Sequence, residues 1–201
     1  MSTTVPIEQT DKDLKDATKR SEGLLRSKHG LLFLGIISFA EAMLLVPIIT
    51  DPFLVAYIIL HRSKALVAVV VTTLTSILGG LGAYVLAAFF IDIALGYLSP
   101  ESVLEFNAIV ERFSDSTFAL GLIGAITPVP FTLAALAAGV IKGNLILFLL
   151  GVLIGRSFRY GVAGYLTYRF GEDALRIAKE NLAIITIVTL IFGTIYIWYI
   201  L

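Results

Sequence analysis

Four ionisable side chains stand in sequence that is otherwise apolar. Glu41 and Asp51 lie in the run 31–60, far from either end of it. Arg156 and Arg159 lie in a second run, 145–168. A charged acid or arginine at the centre of a bilayer costs about 2.5–3.5 kcal/mol on insertion scales. Such groups therefore face inward, towards one another or towards a polar ligand. Arg156 and Arg159 are three residues apart and share one face of a helix. Facing inward, they either neutralise Glu41 and Asp51 or bind an anionic group, and one site can do both at different stages. Guanidinium groups suit phosphate oxygens. Protonation of the acids would offer one route to release.

The rest of the composition says what must hold these four. The chain has 201 residues, 58% apolar and only 15% charged. Several runs of about 20 uncharged residues meet the requirement for crossing ~30 Å of hydrocarbon. An all-α integral membrane protein of one domain is expected. There is no cysteine and there are two histidines, His29 and His61, both in polar flanks. No metal site or cofactor is expected, and no catalytic residue is assigned. No Ser/His/acid arrangement or phosphate loop is present, so the chain does not read as an enzyme. A net charge of zero argues against a nucleic-acid partner.

Two of the apolar runs cannot be straight helices. Run 31–60 holds Pro47 and Asp51-Pro52 and would be about 45 Å long as one helix, too long for an ordinary crossing. On a straight helix Glu41 and Asp51 would be ~15 Å apart. Folded about residues 47–52 they come close. Run 119–141 holds Pro128 and Pro130, which remove backbone donors and clash with the preceding turn. Carbonyls freed by such breaks must find partners in protein or water. Both runs read as re-entrant hairpins, with Pro47, Pro128, Pro130 and Gly139 shaping the loops. Between them, 65–91 reads as a clean spanning helix. Its Gly79, Gly80 and Gly82 permit close helix packing. Ser99-Pro100-Glu101 is a helix start, and 99–117 reads as an amphipathic surface helix, a lid rather than a gate. The run from 145 must continue past both arginines to 168 to span.

The flanks complete the plan. Residues 1–29 read as a polar cytoplasmic arm, solvated or loosely membrane-associated, and not as a signal peptide. Residues 171–201 read as a charged loop and a last spanning helix, anchored by Tyr196, Trp198 and Tyr199. With both interrupted runs re-entrant, eleven Lys and Arg fall on the N-terminal side and two, Arg112 and Lys142, on the other. The positive-inside rule makes the first side cytoplasmic. A fully spanning 119–141 would weaken that bias. The expected location is the plasma membrane, multi-pass, with the N-terminus inside. The chain then holds two units of one plan, hairpin then spanning helix, entering from opposite faces. Inverted repeats of this kind carry transporter sites at the midplane.

Two stretches resemble the DedA / VTT-domain family (SNARE-associated Golgi protein-like), in its YqaA-like branch. Phe39-Ala40-Glu41 followed by Pro47 and Asp51 is similar to the first motif of that family. Ile126-Thr127-Pro128-Val129-Pro130-Phe131 to Gly139, then Gly155-Arg156-Ser157-Phe158-Arg159-Tyr160, is similar to its second half. The resemblance covers about residues 30–170. It implies opposed re-entrant loops and movement of lipids or lipid-linked phosphates, in some members coupled to the proton-motive force. Ile49 stands where the first motif has a second proline. Thr132 stands where many members carry a base.

The expected function is a flippase- or scramblase-like transporter whose partners are membrane lipids, phospholipid or polyprenyl phosphate. Glu41, Asp51, Arg156 and Arg159 are the expected substrate- or ion-binding residues. The alternatives are a proton- or ion-coupled small-solute transporter and a non-transporting scaffold or assembly factor. A homo-oligomer remains an option.

Overall fold

The computed structural model describes residues 23–44, 50–97, 99–113, 116–127, 130–171 and 173. Pro47, Pro128, the chain before residue 23 and the last expected spanning helix lie outside the described residues. Those described are helices and the turns that join them, with no strand among them. The helices are α1 (Gly30–Met43), α2 (Thr50–Leu60), α3 (Ala65–Leu95), α4 (Pro100–Phe113), α5 (Thr117–Ile126), α6 (Phe131–Val140) and α7 (Leu145–Phe170). A 3₁₀ turn, Arg62–Lys64, joins α2 to α3. The segment from Arg62 through α3 (62–95) and α7 are long and apolar enough to cross a membrane. The other apolar helices are half as long, because each interrupted run breaks in two.

The breaks follow local chemistry. Leu44 leaves α1 with φ −107° and ψ 145°, and Thr127 leaves α5 with φ −74° and ψ 161°. Both are extended. Thr127 precedes Pro128, and a residue before proline is pushed out of the helical region. Pro52 is tolerated because it sits in the first turn of α2, where its missing N–H has no helical partner to lose. Asn144 starts α7 cleanly: its Oδ1 accepts from Ile146 N at 3.0 Å and Leu147 N at 3.1 Å.

Glycine contacts fix the directions. Gly35 lies against Val71 and Thr75, Gly79 against Phe39 and Ala42, and Gly82 against Met43. So α1 runs parallel to α3. The following α2 returns, and its Leu54, Tyr57 and Ile58 share a core with Ala65 and Ala68 at the start of α3. The pair α1–α2 is therefore a hairpin whose tip lies near mid-length of α3. In the same way Gly121 lies against Phe148, Gly151 against Leu122, and Gly155 against Ala125. The pair α5–α6 is a second hairpin, parallel then antiparallel to α7, and Gly143 brings it back to Thr117.

The two long helices are antiparallel. Gly164 of α7 meets Val69 near the start of α3, and Lys142, just before α7, pairs with Asp92 near the end of α3. The hairpins hence enter from opposite ends, and their tips meet midway. Each first arm packs on its own long helix. Each second arm packs on the other long helix, α2 on α7 and α6 on α3. The amphipathic α4 joins Leu95 to Thr117 at one end, with Leu104 and Glu101 outward. Thr117 belongs to α5, so α4 is shorter than the sequence suggested.

Two further matches link the halves. Gly79 abuts the carbonyl of Phe39 and the Cβ of Ala42; Gly155 abuts the carbonyl of Leu122 and the Cβ of Ala125. Ala42 and Ala125 each stand two residues before their break. Arg62, two residues past α2, donates from Nη2 to the Tyr168 carbonyl near the end of α7, at 2.9 Å. Lys142, two residues past α6, holds Asp92 near the end of α3. Each hairpin is thus tied down at the end of the long helix belonging to the other half.

Alanine supplies much of the central core, with Ala42, Ala83, Ala125, Ala135 and Ala138 around Phe131, Phe148 and Tyr84. Small residues allow the close crossings. The outer faces of the long helices expose Leu66, Phe89, Phe90, Ile146, Phe158 and Tyr165. One reading of the N-terminal arm needs correcting. Leu25 is buried, packed with Leu34, Leu54, Tyr57 and Tyr160, so the last turn of the arm belongs to the core.

The glycine crossings give a contrast between two substitutions. A Cβ on Gly139 would run into the backbone of Tyr84 and lie 2.8 Å from the Cβ of Ala87. Gly161, in α7, has nothing within 4 Å of that position. Gly139→Ala is expected to cost about 1–3 kcal/mol by overpacking. Gly161→Ala is expected to stabilise by up to about 1 kcal/mol through helix propensity. Thermal unfolding of the purified variants checks both signs.

Candidate functional site

Charge and broken backbone meet at the hairpin tips. Glu41 is in the last turn of α1 and Asp51 in the first turn of α2, so the hairpin brings both acids to one tip. Arg156 and Arg159 project from the middle of α7. Their spacing places them on one side of that helix, towards the tips.

Arg159 ties the two tips together. Its Nε approaches Asp51 Oδ2 at 3.2 Å and Oδ1 at 3.4 Å, and its Nη2 makes an ion pair with Oδ2. Its Nη1 donates to the Thr127 carbonyl at 2.9 Å. That carbonyl is one of those left without a helical partner at the α5 break. One guanidinium thus joins hairpin one, hairpin two and α7.

Arg156 is fully buried. Its guanidinium lies over the Phe131 ring, 4.4 Å from the centroid, and near the Tyr160 ring at 5.3 Å. Nη1 donates to the Tyr160 hydroxyl at 2.8 Å, one helical turn on. Nη2 is 3.6 Å from Glu41 Oε1, an ion-pair distance but too long for a hydrogen bond. Nε and Nη2 have no hydrogen-bond partner among the described residues.

The Glu41 carboxylate is held on its other oxygen. Thr50 donates to Oε2 from its backbone N at 3.1 Å and also from its hydroxyl. These bonds close the hairpin tip on itself. The backbone of α1 is served from the other half. Thr132, in the first turn of α6, donates its hydroxyl to the Glu41 carbonyl at 2.7 Å and approaches the Leu44 carbonyl at 3.2 Å. Leu44 and Thr127 are the residues at which the two first arms end. Each has its carbonyl met by a side chain from α6 or α7.

The structure therefore brings together all four ionisable residues singled out in the sequence. Gly139 and Gly79 act at helix crossings, and Gly80 seats the Phe131 ring edge, with 2.6 Å available to a Cβ. Pro130 caps α6 from the outside. Four residues of the site were not anticipated: Thr50, Phe131, Thr132 and Tyr160. Tyr160 stands four residues from Arg156, a spacing that could have drawn attention to it. Phe131 and Thr132 stand in the stretch already noted around Pro128 and Pro130, and Thr50 beside Asp51, but nothing in their types marks them as partners of the charges. Among the described residues no group of His, Cys, Asp or Glu could hold a metal ion.

If Arg159 and Asp51 hold the tips together, they are coupled energetically. A double-mutant cycle of Asp51→Asn and Arg159→Gln, read by thermal or denaturant unfolding, should give a coupling of about 0.5–3 kcal/mol. Additive losses would mean that the pair does not fasten the tips. Compared with family models, curated proteins and solved structures, the chain matches none of them.

Proposed function

We propose that the protein is an integral membrane translocator of lipid or lipid-linked phosphate, flippase- or scramblase-like, and a member of the DedA / VTT-domain group. The observation that carries this reading is the meeting of four paired charges at two opposed hairpin tips, midway along two apolar helices. Opposed hairpins of short helices suit re-entry into a bilayer from its two faces, as inverted repeats. The exposed large apolar residues on α3 and α7 suit contact with lipid. Buried arginines and acids at that depth are expensive and mark a path for something polar. Arg26, Lys28, Arg62, Lys64 and Arg169 gather at one end, against Arg112 and Lys142 at the other. This favours the first end as cytoplasmic, in the plasma membrane.

A scaffold role would need the charges to satisfy only one another. Arg159 and Asp51 fit that. Arg156 does not, because two of its buried nitrogens lack a hydrogen-bond partner among the described residues. A solute transporter using the same charges predicts ion flux lost in Glu41→Gln, with no lipid movement.

The test is reconstitution in vesicles with labelled phospholipid or polyprenyl phosphate, with and without a proton gradient. The expected result is a faster exchange of lipid between leaflets, reduced at least about tenfold in Arg156→Ala, the loss that goes with about 1.4 kcal/mol of binding. No gain over empty vesicles for any of these lipids would overturn the proposal.

A further inference from the structure

Arg156 and Arg159 sit one turn apart on α7, yet they are used differently. In a guanidinium the Nε–H and one Nη2–H lie along a single edge and form a two-pronged fork. This fork matches two oxygens of a carboxylate or phosphate. In Arg159 both prongs are taken by Asp51. In Arg156 the same two atoms, Nε and Nη2, have no hydrogen-bond partner among the described residues, although the side chain is fully buried. Its remaining nitrogen is fixed by Tyr160, and its flat face is covered by Phe131. The fork edge is free to make two parallel hydrogen bonds. Leaving buried charged N–H groups unpaired is costly.

The carboxylate facing that edge is that of Glu41, whose Oε1 is 3.6 Å from Nη2. Thr50 holds the other Glu41 oxygen twice, so only Oε1 faces the fork. Glu41 neutralises Arg156 without bonding to it.

We infer that Arg156 alone is the oxyanion receptor of the site, taking two oxygens of a phosphate on its Nε/Nη2 edge, while Arg159 is a positioning residue that fastens the tips. This deepens the translocation reading and rests on it for the use of the bound group. Glu41 then competes with the ligand: an arriving oxyanion takes the place that the Glu41 carboxylate faces, and two negative groups cannot share it cheaply. The chemistry is that of a phosphate, whether free in solution or on a lipid head group.

The experiment measures equilibrium binding to the full chain in phosphatidylcholine nanodiscs. One arm titrates inorganic phosphate. The other compares discs with and without phosphatidic acid, reading the melting temperature. Stabilisation by inorganic phosphate supports a soluble oxyanion. Stabilisation by phosphatidic acid alone supports a lipid head group. The absence of stabilisation in both arms would overturn the inference. In the arm that responds, Arg156→Lys keeps the charge but loses the fork, and should weaken binding at least about tenfold. Arg159→Lys should weaken it less than about threefold, and should lower the melting temperature without ligand. Equal losses of affinity would overturn the division of roles. Glu41→Gln should tighten binding, a gain that a misfolded variant cannot give. Weaker or unchanged binding in Glu41→Gln would overturn the competition. No flux enters these readings, so a failure here leaves translocation to the vesicle assay, and an inactive vesicle assay leaves the receptor assignment standing.

Discussion

A helix that stops inside an apolar environment leaves carbonyls with nothing to bond to, and the whole middle of this molecule is built around that constraint. Two first arms end midway along the long helices, at Leu44 and Thr127. The Leu44 end is met by Thr132 from the second hairpin, and the Thr127 end by Arg159 from the last described helix. The breaks thus depend on each other. Each tip is held in part by the other half of the chain, and the tips, once held, bring the charges together.

The glycines are the other half of that argument. Hairpin arms reach the long helices closely enough for side-chain-to-carbonyl bonds because Gly79, Gly139 and Gly155 let backbones approach. The repeated contact of a glycine with a carbonyl and, three residues on, an alanine shows that the halves share a packing rule. They do not share chemistry. Counting from the matched glycines, Arg156 corresponds to Gly80 and Arg159 to Ala83. The frame is nearly two-fold, while both arginines belong to one half and both acids to the other. Attraction between the halves therefore concentrates at their meeting point.

Much of this was legible in the sequence. Proline pairs in apolar runs predicted the breaks, and run length separated hairpins from long helices. Charges where hydrocarbon should exclude them picked out Glu41, Asp51, Arg156 and Arg159. What could not be read was the pairing. Whether Arg159 meets Asp51 or Glu41 depends on how far each hairpin penetrates beside α7, and that is set by tertiary crossings. The bonds of Thr50 and Thr132 were also out of reach, since a hydroxyl bonded to a residue nine or 91 positions away has no local signature. Leu25 was missed for a related reason. Its neighbours in sequence are polar, and the residues that bury it come from α1, α2 and α7.

The two ties at the ends of the bundle are matched in position but differ in kind. Lys142 holds Asp92 through an ion pair between side chains about half exposed, 49% and 59%. Dissolved ions screen such a pair, and it contributes at most about 1 kcal/mol. Arg62 instead grips a backbone carbonyl of α7, a bond between a charge and a dipole that added ions weaken less. Ionic strength therefore acts on the molecule unevenly. In concentrated salt the end carrying α4 loosens first while the opposite end stays fastened, so a frame that is nearly symmetric in shape has a built-in direction in its response to its surroundings.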